Sequence, residues 1–317
     1  MIQQIIAIIF PVFTIVLLGF LYARRHGPDM AAANTLNLHV FTPALLFSVL
    51  SGEGFEPGRY IDLALAGAAV VLGSGLLAWP VGRLLGYETR TFVPPMMFNN
   101  SGNMGLPLAV FAFGEKLLPA AVILFTVENV LHFTVGQRML AGRIHPLRLL
   151  RMPLLMAALA GVAFSALSIP IYAPLREAIT LLGQIAIPLM LFSLGVRMTG
   201  FNPSDWKIGL TGAIVAPLTG LLVAWPLVSM ATIDGVQAQQ LLLFAVLPPA
   251  VVNFMLAEQY RQEPAKVAAI VMFGNLASLA SIPLALGFIL SPALLTAGRG
   301  DRAGTWIQRA SEDSSSW

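Results

Sequence analysis

Three asparagines and a serine lie close together inside a strongly apolar stretch of this sequence. Between Met97 and Pro107 the chain reads Met-Phe-Asn-Asn-Ser-Gly-Asn-Met-Gly-Leu-Pro. Several polar side chains in one apolar segment are costly to bury unless they are hydrogen-bonded or hold a polar ligand. Asn100, Ser101 and Asn103 are therefore candidate ligand-binding residues.

The same stretch contains three residues that interrupt helices, namely Gly102, Gly105 and Pro107. Glycine permits non-helical backbone, and proline removes a backbone donor and clashes with the preceding turn. A helix that unwinds here exposes free N–H groups and the positive end of its dipole, and both suit an anion.

A second apolar stretch shows a similar combination farther along the chain. It reads Leu247-Pro-Pro-Ala-Val-Val-Asn253 and supplies Pro248, Pro249 and Asn253 as further candidate binding residues. We expect this segment to unwind as well, so that two sets of free N–H groups can face one ligand. The side chains of Asn103 and Asn253 could equally well hydrogen-bond a neighbouring helix.

Glu128 lies near the middle of another apolar stretch, one helical turn before His132. Residues four apart share one face of a helix. An ionisable side chain inside a membrane is a functional candidate, and this pair could carry a proton. The alternative role is structural, either a Glu128–His132 hydrogen bond or a carboxyl that satisfies the end of an interrupted helix.

The sequence contains no other recognisable catalytic arrangement. It has no cysteine, which excludes disulfides, iron–sulfur clusters and thiol catalysis. It also lacks a His-Glu-x-x-His zinc motif and a glycine-rich phosphate loop ending in Lys-Ser or Lys-Thr. Gly73-Ser-Gly75 has no identified base to activate its serine. We therefore predict neither an enzyme nor a bound metal or cofactor.

The elements that position these residues are membrane spans. The chain is 57% hydrophobic and only 10% charged, whereas a soluble domain has about 25% charged residues. Apolar runs of about 20 residues, each enough to cross a ~30 Å hydrocarbon core, recur along its length. We predict an all-α membrane protein with ten spans, near residues 2–22, 32–51, 60–80, 91–113, 117–136, 152–170, 175–196, 208–230, 236–257 and 267–290.

The second half of the sequence repeats the first at an offset of 145 residues. Internal repeats in a membrane chain are typical of transporters, whose binding site lies where the repeats meet. The matched segments are Pro43-Ala-Leu-Leu-Phe-Ser48 with Pro188-Leu-Met-Leu-Phe-Ser193, Gly75-Leu-Leu with Gly220-Leu-Leu, and Pro119-Ala-Ala-Val with Pro264-Ala-Lys-Val. Upstream, Pro11 and Gly19 match Pro153 and Gly161 at an offset of 142.

Positive charge predicts the orientation of the spans, because lysine and arginine are retained in cytoplasmic loops. The loops after the odd-numbered spans hold twelve of these residues, the alternate loops hold three, and the C-terminal tail holds three more. Both termini are therefore predicted to lie outside.

With five spans in each repeat, the two halves must be inverted relative to one another, and we assign them to residues 1–144 and 145–291. Residues 292–317 are rich in glycine and serine and are predicted to be a disordered tail.

In this arrangement spans 4 and 9 occupy equivalent positions. Their predicted breaks fall at mid-membrane, where non-helical backbone is tolerated only inside protein or beside a watery cavity. Because the two spans run in opposite directions, they can cross in an X, with two half-helix N-termini aimed at one point.

Several of these residues resemble the signature of the auxin efflux carrier family. The resemblance rests on Asn100-Ser-Gly-Asn-Met-Gly-Leu-Pro-Leu-Ala109 with Phe113-Gly114, on Leu247-Pro-Pro-Ala, and on Phe254-Met-Leu-Ala-Glu-Gln-Tyr260. It covers about residues 1–290. It implies a scaffold of spans 1, 2, 6 and 7 that forms a homodimer, and a moving domain of spans 3–5 and 8–10. It also implies a crossover related to that of the bile-acid sodium symporters, with Asn100 facing the substrate.

These observations together predict a secondary transporter for a small organic anion, such as a mono- or dicarboxylate, that works by alternating access around the crossing of spans 4 and 9. The alternative is an anion channel lined by the interrupted helices. The lipid bilayer is the expected surrounding, the bacterial inner membrane the expected location, and no nucleic-acid partner is predicted.

Overall fold

The computed structural model describes residues 2–142, 151–200, 204–230, 233 and 235–291. This part of the chain is helical and contains no β-strand, only a single isolated β-bridge. Its α-helices, in chain order, are α1 (Ile2–His26), α2 (Ala31–Leu36), α3 (Thr42–Leu50), α4 (Ile61–Leu84), α5 (Thr89–Met97), α6 (Leu106–Phe113), α7 (Leu118–Leu131), α8 (Gln137–Ala141), α9 (Pro153–Ala166), α10 (Ala173–Gln184), α11 (Ala186–Arg197), α12 (Trp206–Met230), α13 (Gly235–Ala245), α14 (Val251–Gln259) and α15 (Pro264–Ile289).

Wider and tighter turns join some of these helices into continuous rods. A π-helical turn at Asn37–Phe41 connects α2 to α3, and another at His132–Gly136 connects α7 to α8. A third π-helical turn, Ser101–Gly105, leads into α6. Short 3₁₀ turns occupy Pro57–Tyr60, Glu115–Leu117 and Met198–Gly200. π-turns inside helices often mark functional positions, and two of these three lie beside the site described below.

Seven helical rods in the described residues are long and apolar enough to cross a membrane, which confirms an all-α membrane protein. They coincide with predicted spans 1, 2, 3, 5, 7, 8 and 10: Ile2–His26, Ala31–Leu50, Pro57–Leu84, Glu115–Ala141, Ala173–Gly200, Trp206–Ser229 and Pro264–Ile289. Predicted span 6 corresponds to the 14-residue α9. Predicted spans 4 and 9 each correspond to two shorter helical segments separated by non-helical residues.

Close packing of small residues joins the rods. A side chain at Gly19 of α1 would overlap the backbone carbonyl of Phe192 in α11. Likewise, a β-carbon at Gly161 of α9 would lie 3.2 Å from the carbonyl oxygen of Phe47 in α3. Such glycines let membrane helices approach backbone to backbone, where van der Waals contact drives association.

The interior is organised around two central rods, α4 and α12, which pack against each other. α4 also contacts α5 and α7, and α12 also contacts α13 and α15. Between them lies α13, and every residue from 237 to 250 is buried. The apolar core therefore surrounds the point where the interrupted segments come together.

Polar contacts join the ends of helices in two groups. In the first group the Tyr87 hydroxyl bonds Thr211, Thr91 donates to the Glu263 carboxylate at 2.7 Å, and Gln137 bonds Tyr260. The second group contains an Arg176–Glu53 ion pair at 2.6 Å and hydrogen bonds from Ser165 to the Phe55 carbonyl and from Gln237 to the Arg59 carbonyl.

Two sequence-based predictions fall on residues that the structure does not describe. These are most of the basic loop at 145–151, which was assigned to join the two repeats, and the C-terminal tail at 292–317.

Candidate functional site

Two non-helical segments meet inside the protein, residues 98–100 and residues 246–250. They run antiparallel and form a β-bridge between Asn99 and Pro249. The Asn100 N–H donates to the Pro248 carbonyl at 2.6 Å, and the Ala250 N–H donates to the Phe98 carbonyl at 3.0 Å. These bonds satisfy backbone groups that the interrupted helices leave unpaired. We call this paired region the crossing.

A helical segment begins immediately after each side of the crossing. The π-turn Ser101–Gly105 leads into α6, and α14 starts at Val251. Neither N-cap residue, Asn100 or Ala250, caps its helix with a side-chain hydrogen bond. Since the first N–H groups of a helix have no intrahelical partner, both starts leave donors and a positive dipole end for an acceptor.

A chain of amides links the two sides of the crossing through α15. Asn100 Nδ2 donates to Asn275 Oδ1 at 2.8 Å, and Asn275 Nδ2 donates to the Pro249 carbonyl at 3.0 Å. Asn100 and Asn275 are each 3% exposed. In this structure the Asn100 side chain therefore fixes the crossing, while its backbone begins the first helix.

Asn253 and Asn99 reinforce the crossing from either side. Asn253 Nδ2 donates to the Phe98 carbonyl at 2.8 Å and to the Ala250 carbonyl at 3.0 Å. Asn99 Nδ2 donates to the Phe244 carbonyl at 2.7 Å. The Oδ1 atoms of both asparagines are buried and make no hydrogen bond. Each side chain thus uses its donors on backbone and leaves an acceptor free.

Glu128 contacts the start of the first helix. Its Oε2 accepts a hydrogen bond from the Ser101 hydroxyl, and its Oε1 is buried without a partner. His132 stacks on the Phe98 ring, with ring centroids 4.0 Å apart, and its Nε2 is also unpartnered. The Glu128 carboxyl therefore lies at a helix start, which is one of the two structural alternatives, while His132 packs on the crossing itself.

The remaining predicted residues occupy the helix that follows the first crossing segment. Gly102 and Gly105 lie in the π-turn, where added β-carbons would meet Phe125 at 2.9 Å and Leu247 at 2.8 Å. Pro107 lies at the beginning of α6, where it supplies no N–H to the preceding π-turn. Asn103 is half-buried and makes no side-chain hydrogen bond to the described residues. The interruption thus falls at residues 98–100, slightly before the predicted Gly102–Pro107 region.

A small cavity adjoins the start of the first helix. It has room for about one water-sized molecule. Its polar lining comes from Ser101 and from Gln240 of α13. Its remaining lining is apolar: Gly105, Ala109, Ala121, Leu124, Leu243, Phe244 and Leu247.

Sequence reasoning missed three residues of this site, Asn99, Gln240 and Asn275. Asn275 is a lone amide within a 26-residue apolar helix, and that isolation was the available signal. Gln240 belongs to a Gln-Ala-Gln-Gln run at the start of α13, which resembles a polar helix end although all of its residues are buried.

The site contains no cluster of acidic and histidine residues able to hold a metal ion, as far as the described residues show. Its donors are the N–H groups at two helix starts, and its free acceptors are amide and carboxyl oxygens. Such a site can bind an anionic group at the helix starts and a hydrogen-bond donor nearby.

Comparison with known proteins agrees with these features. Residues 142–286 match a family described as "Membrane transport protein". A "Putative malonate transporter" of Rhizobium meliloti is 28% identical over 312 residues, covering 92% of this chain and 98% of the relative. An uncharacterized transporter of Methanocaldococcus jannaschii is 23% identical over 278 residues, covering 81% of this chain and 88% of the relative.

Proposed function

We propose that this chain is a secondary transporter of a small organic anion, of the auxin efflux carrier type. The proposal is supported by the match of residues 142–286 to a membrane transport protein family and by the 28% identity with the "Putative malonate transporter". The proposed substrate is a carboxylate of the size of malonate, moved by alternating access around the crossing. The energy comes from gradients of substrate or ion.

The observation that carries this proposal is the pair of uncapped helix starts at the crossing. Each helix N-terminus carries roughly half a positive charge, so two of them balance about one negative charge. The predicted spans have no lysine or arginine near their middle that could neutralise a second negative charge on the substrate. The expected substrate is therefore a monoanion, or the singly protonated form of a dicarboxylate.

The proposed architecture is a pair of inverted five-helix repeats with ten spans. Its support is packing that recurs at the offset of the sequence repeat. Gly19 faces the carbonyl of Phe192, while its counterpart Gly161 faces the carbonyl of Phe47, which lies 145 residues before Phe192. The interrupted segments at 89–113 and 235–259 are, in this proposal, spans 4 and 9.

The proposed orientation places both termini outside the plasma membrane, which is the inner membrane of a bacterium. Two groups of contacts between helix ends support this orientation. Tyr87 and Glu263, in loops assigned to the cytoplasm, bond Thr211 and Thr91 at the starts of spans 8 and 4. The Arg176–Glu53 pair joins the start of span 7 to the loop after span 2, and both are assigned to the outside.

A carrier is favoured over the alternative of an anion channel. A channel needs a continuous water-filled pore, whereas the cavity beside the crossing holds about one water-sized molecule. Alternating access requires the moving domain, spans 3–5 and 8–10, to shift against a scaffold of spans 1, 2, 6 and 7. We propose that the scaffold forms a homodimer, which cross-linking in native membranes can test.

Glu128 is proposed to carry a proton during this cycle, with His132 as a neighbouring group. The proposal is supported by the unpartnered Glu128 Oε1 and by the contact between Oε2 and Ser101 at the start of a helix that holds substrate. Protonation of this carboxyl changes the charge beside the binding helix, which can couple proton binding to substrate binding.

The test of transport uses purified protein reconstituted in proteoliposomes. Malonate and a panel of other mono- and dicarboxylates should raise the thermal unfolding midpoint, because a ligand stabilises by RT ln(1 + [L]/Kd). Stabilising compounds should also be taken up. No stabilisation by any carboxylate, or substrate-dependent currents far above a carrier's turnover, would contradict the proposal.

Asn100→Ala tests the place of binding in the same assay. We expect it to abolish uptake because it disturbs the start of the first binding helix and frees Asn275. Asn129→Ala is the matched control, since Asn129 Nδ2 bonds only the Phe125 carbonyl of its own helix at 2.8 Å. Uptake by Asn100→Ala equal to that of the control would remove Asn100 from the site.

A further inference from the structure

Gln240 lies in α13 with only 3% of its surface exposed. Its Nε2 donates to the Leu117 carbonyl at 2.9 Å, across to the turn that precedes α7. This bond fixes the orientation of the amide, because the opposite assignment would place two oxygens against each other. Gln240 Oε1 consequently points away from that carbonyl.

Gln240 Oε1 is buried and makes no hydrogen bond. A buried acceptor without a partner is destabilising, and a water or a ligand that supplies a donor removes this cost. Gln240 lines the cavity that Ser101 also lines, at the start of the first binding helix. The residue that begins this helix and the residue with the free acceptor oxygen therefore line the same cavity.

The neighbouring Gln239 provides a contrast within the same helix. Its Nε2 donates to the Ile289 carbonyl at 2.9 Å, so it too ties α13 to another element. Gln239 does not line the cavity. Both glutamines therefore bond α13 to another element, but of the two only Gln240 lines this cavity.

We propose that Gln240 is a specificity-determining residue, whose Oε1 accepts a hydrogen bond from the protonated carboxyl of a singly ionised dicarboxylate. The ionised carboxylate of the same molecule lies at the helix start beside Ser101. This assignment rests on the proposed function and adds how the second end of the substrate is recognised. The cavity must widen to hold a three-carbon diacid, which requires α13 and the Ser101–Gly105 turn to separate.

Two malonate analogues test the contact with Gln240 at a constant charge and a similar length. Malonamate carries one carboxylate and an amide that can donate to Gln240. Monomethyl malonate carries one carboxylate and an ester that has no donor. Both are compared as competitors of labelled malonate uptake into proteoliposomes that contain the full chain. The wild type should bind malonamate about tenfold more tightly than the half-ester, since the ester leaves Oε1 unpaired.

Gln240→Met removes the acceptor and keeps the side-chain length. The two analogues should then bind with about equal affinity. Gln239→Met makes the same change one residue away and loses a comparable tether, and it should keep the wild-type preference. A Gln240→Met protein that still prefers malonamate about tenfold would overturn the assignment. A wild type that takes up malonate without preferring malonamate would overturn it without any variant.

Failure of the wild type to take up malonate at all is a different result. It would contradict the proposed function, and the role of Gln240 would fall with it. Uptake of malonate together with equal competition by the two analogues rejects the Gln240 contact alone.

Discussion

At the crossing, the side chain of Asn275 joins two backbone segments that belong to different helices. It accepts from Asn100 Nδ2 at 2.8 Å and donates to the Pro249 carbonyl at 3.0 Å. Asn275→Leu keeps the size of the side chain but leaves both partners buried and unpaired. We expect a loss of about 1–3 kcal/mol in stability for each unpaired group, seen as a lower thermal unfolding midpoint and reduced uptake.

Asn129→Leu is the control for that substitution. Asn129 bonds only within its own helix, so its replacement should change stability by about 0.5 kcal/mol or less, and uptake should remain normal. Equal unfolding midpoints for the two variants would show that the amide chain contributes nothing to the crossing.

Glu128 and Ser101 give a second prediction for single residues. If Glu128 carries the proton, Glu128→Gln should lose accumulation driven by a pH gradient, because the amide cannot release a proton. Exchange of labelled for unlabelled substrate should persist, since the binding helix starts are intact. Normal accumulation of substrate by Glu128→Gln in a proton gradient would make Glu128 structural. Any pH dependence would then come from the fraction of substrate that is singly protonated.

The elements at the crossing were partly visible in the sequence. The Asn100-Ser-Gly-Asn cluster and Pro248-Pro249 identified both interrupted regions, because polar, glycine and proline residues are conspicuous among apolar ones. The exact place of the first interruption was not visible. Residues 98–100 are extended because they pair with residues 248–250, a contact 150 positions away along the chain that no local propensity reports.

The fit of α15 against the crossing gives a prediction for an element. A β-carbon at Gly274 would lie 2.5 Å from the Pro249 ring, so Gly274→Ala should push α15 away from the crossing. We expect reduced uptake and a lower unfolding midpoint, by about 1–3 kcal/mol. At Gly287 of the same helix, an added β-carbon meets only Ile5 at 3.4 Å.

Gly287→Ala is therefore the matched control, and it should be neutral or stabilising by up to about 1 kcal/mol because alanine favours the helix. If Gly274→Ala proves as stable and active as Gly287→Ala, the packing of α15 on Pro249 does not constrain the crossing.

The loop before α15 gives an element-scale prediction about pH. Hydrogen bonds from Lys266 and Thr91 to Glu263, with the charge of Lys266, lower the pKa of the Glu263 carboxyl from its ordinary value of 4.5. A lowered folded pKa contributes stability that is present above that ordinary value and is lost as pH falls through the folded value. Because the Glu263 side chain is 38% exposed, solvent screening reduces the contribution to about a few tenths of a kcal/mol.

Glu263→Gln should consequently lower the unfolding midpoint slightly at neutral pH, and the difference from wild type should shrink in acid. Glu258→Gln, at a nearby exposed carboxylate, is the control for the loss of one negative charge. A Glu263→Gln deficit that is the same at neutral and acidic pH would assign the effect to something other than the carboxylate charge.

At the scale of the whole molecule, the packing supports the proposed pair of related halves. Phe47 and Phe192 lie 145 residues apart, and their carbonyls are approached by Gly161 and Gly19, which match each other at an offset of 142. The site is nevertheless asymmetric, because Glu128 has Phe273 at its repeat position. In the proposed architecture, the repeat provides the two helix starts, and residues such as Glu128, which do not recur in the repeat, adapt them to the proposed substrate.

The orientation of the whole chain gives the last prediction. The native sequence has no cysteine, so single cysteines can be introduced without background. Gly58 and Tyr172 are exposed in loops assigned to the outside, and Leu85 and Gln259 are exposed in loops assigned to the cytoplasm. An impermeant thiol reagent added to intact cells should label Gly58→Cys and Tyr172→Cys. Leu85→Cys and Gln259→Cys should react only after the cells are permeabilised.

The opposite pattern would reverse the orientation that positive charge predicts, yet leave the inverted repeat in place. Labelling of Gly58→Cys but not Tyr172→Cys would contradict the repeat itself, because the two halves would then not contain five spans each.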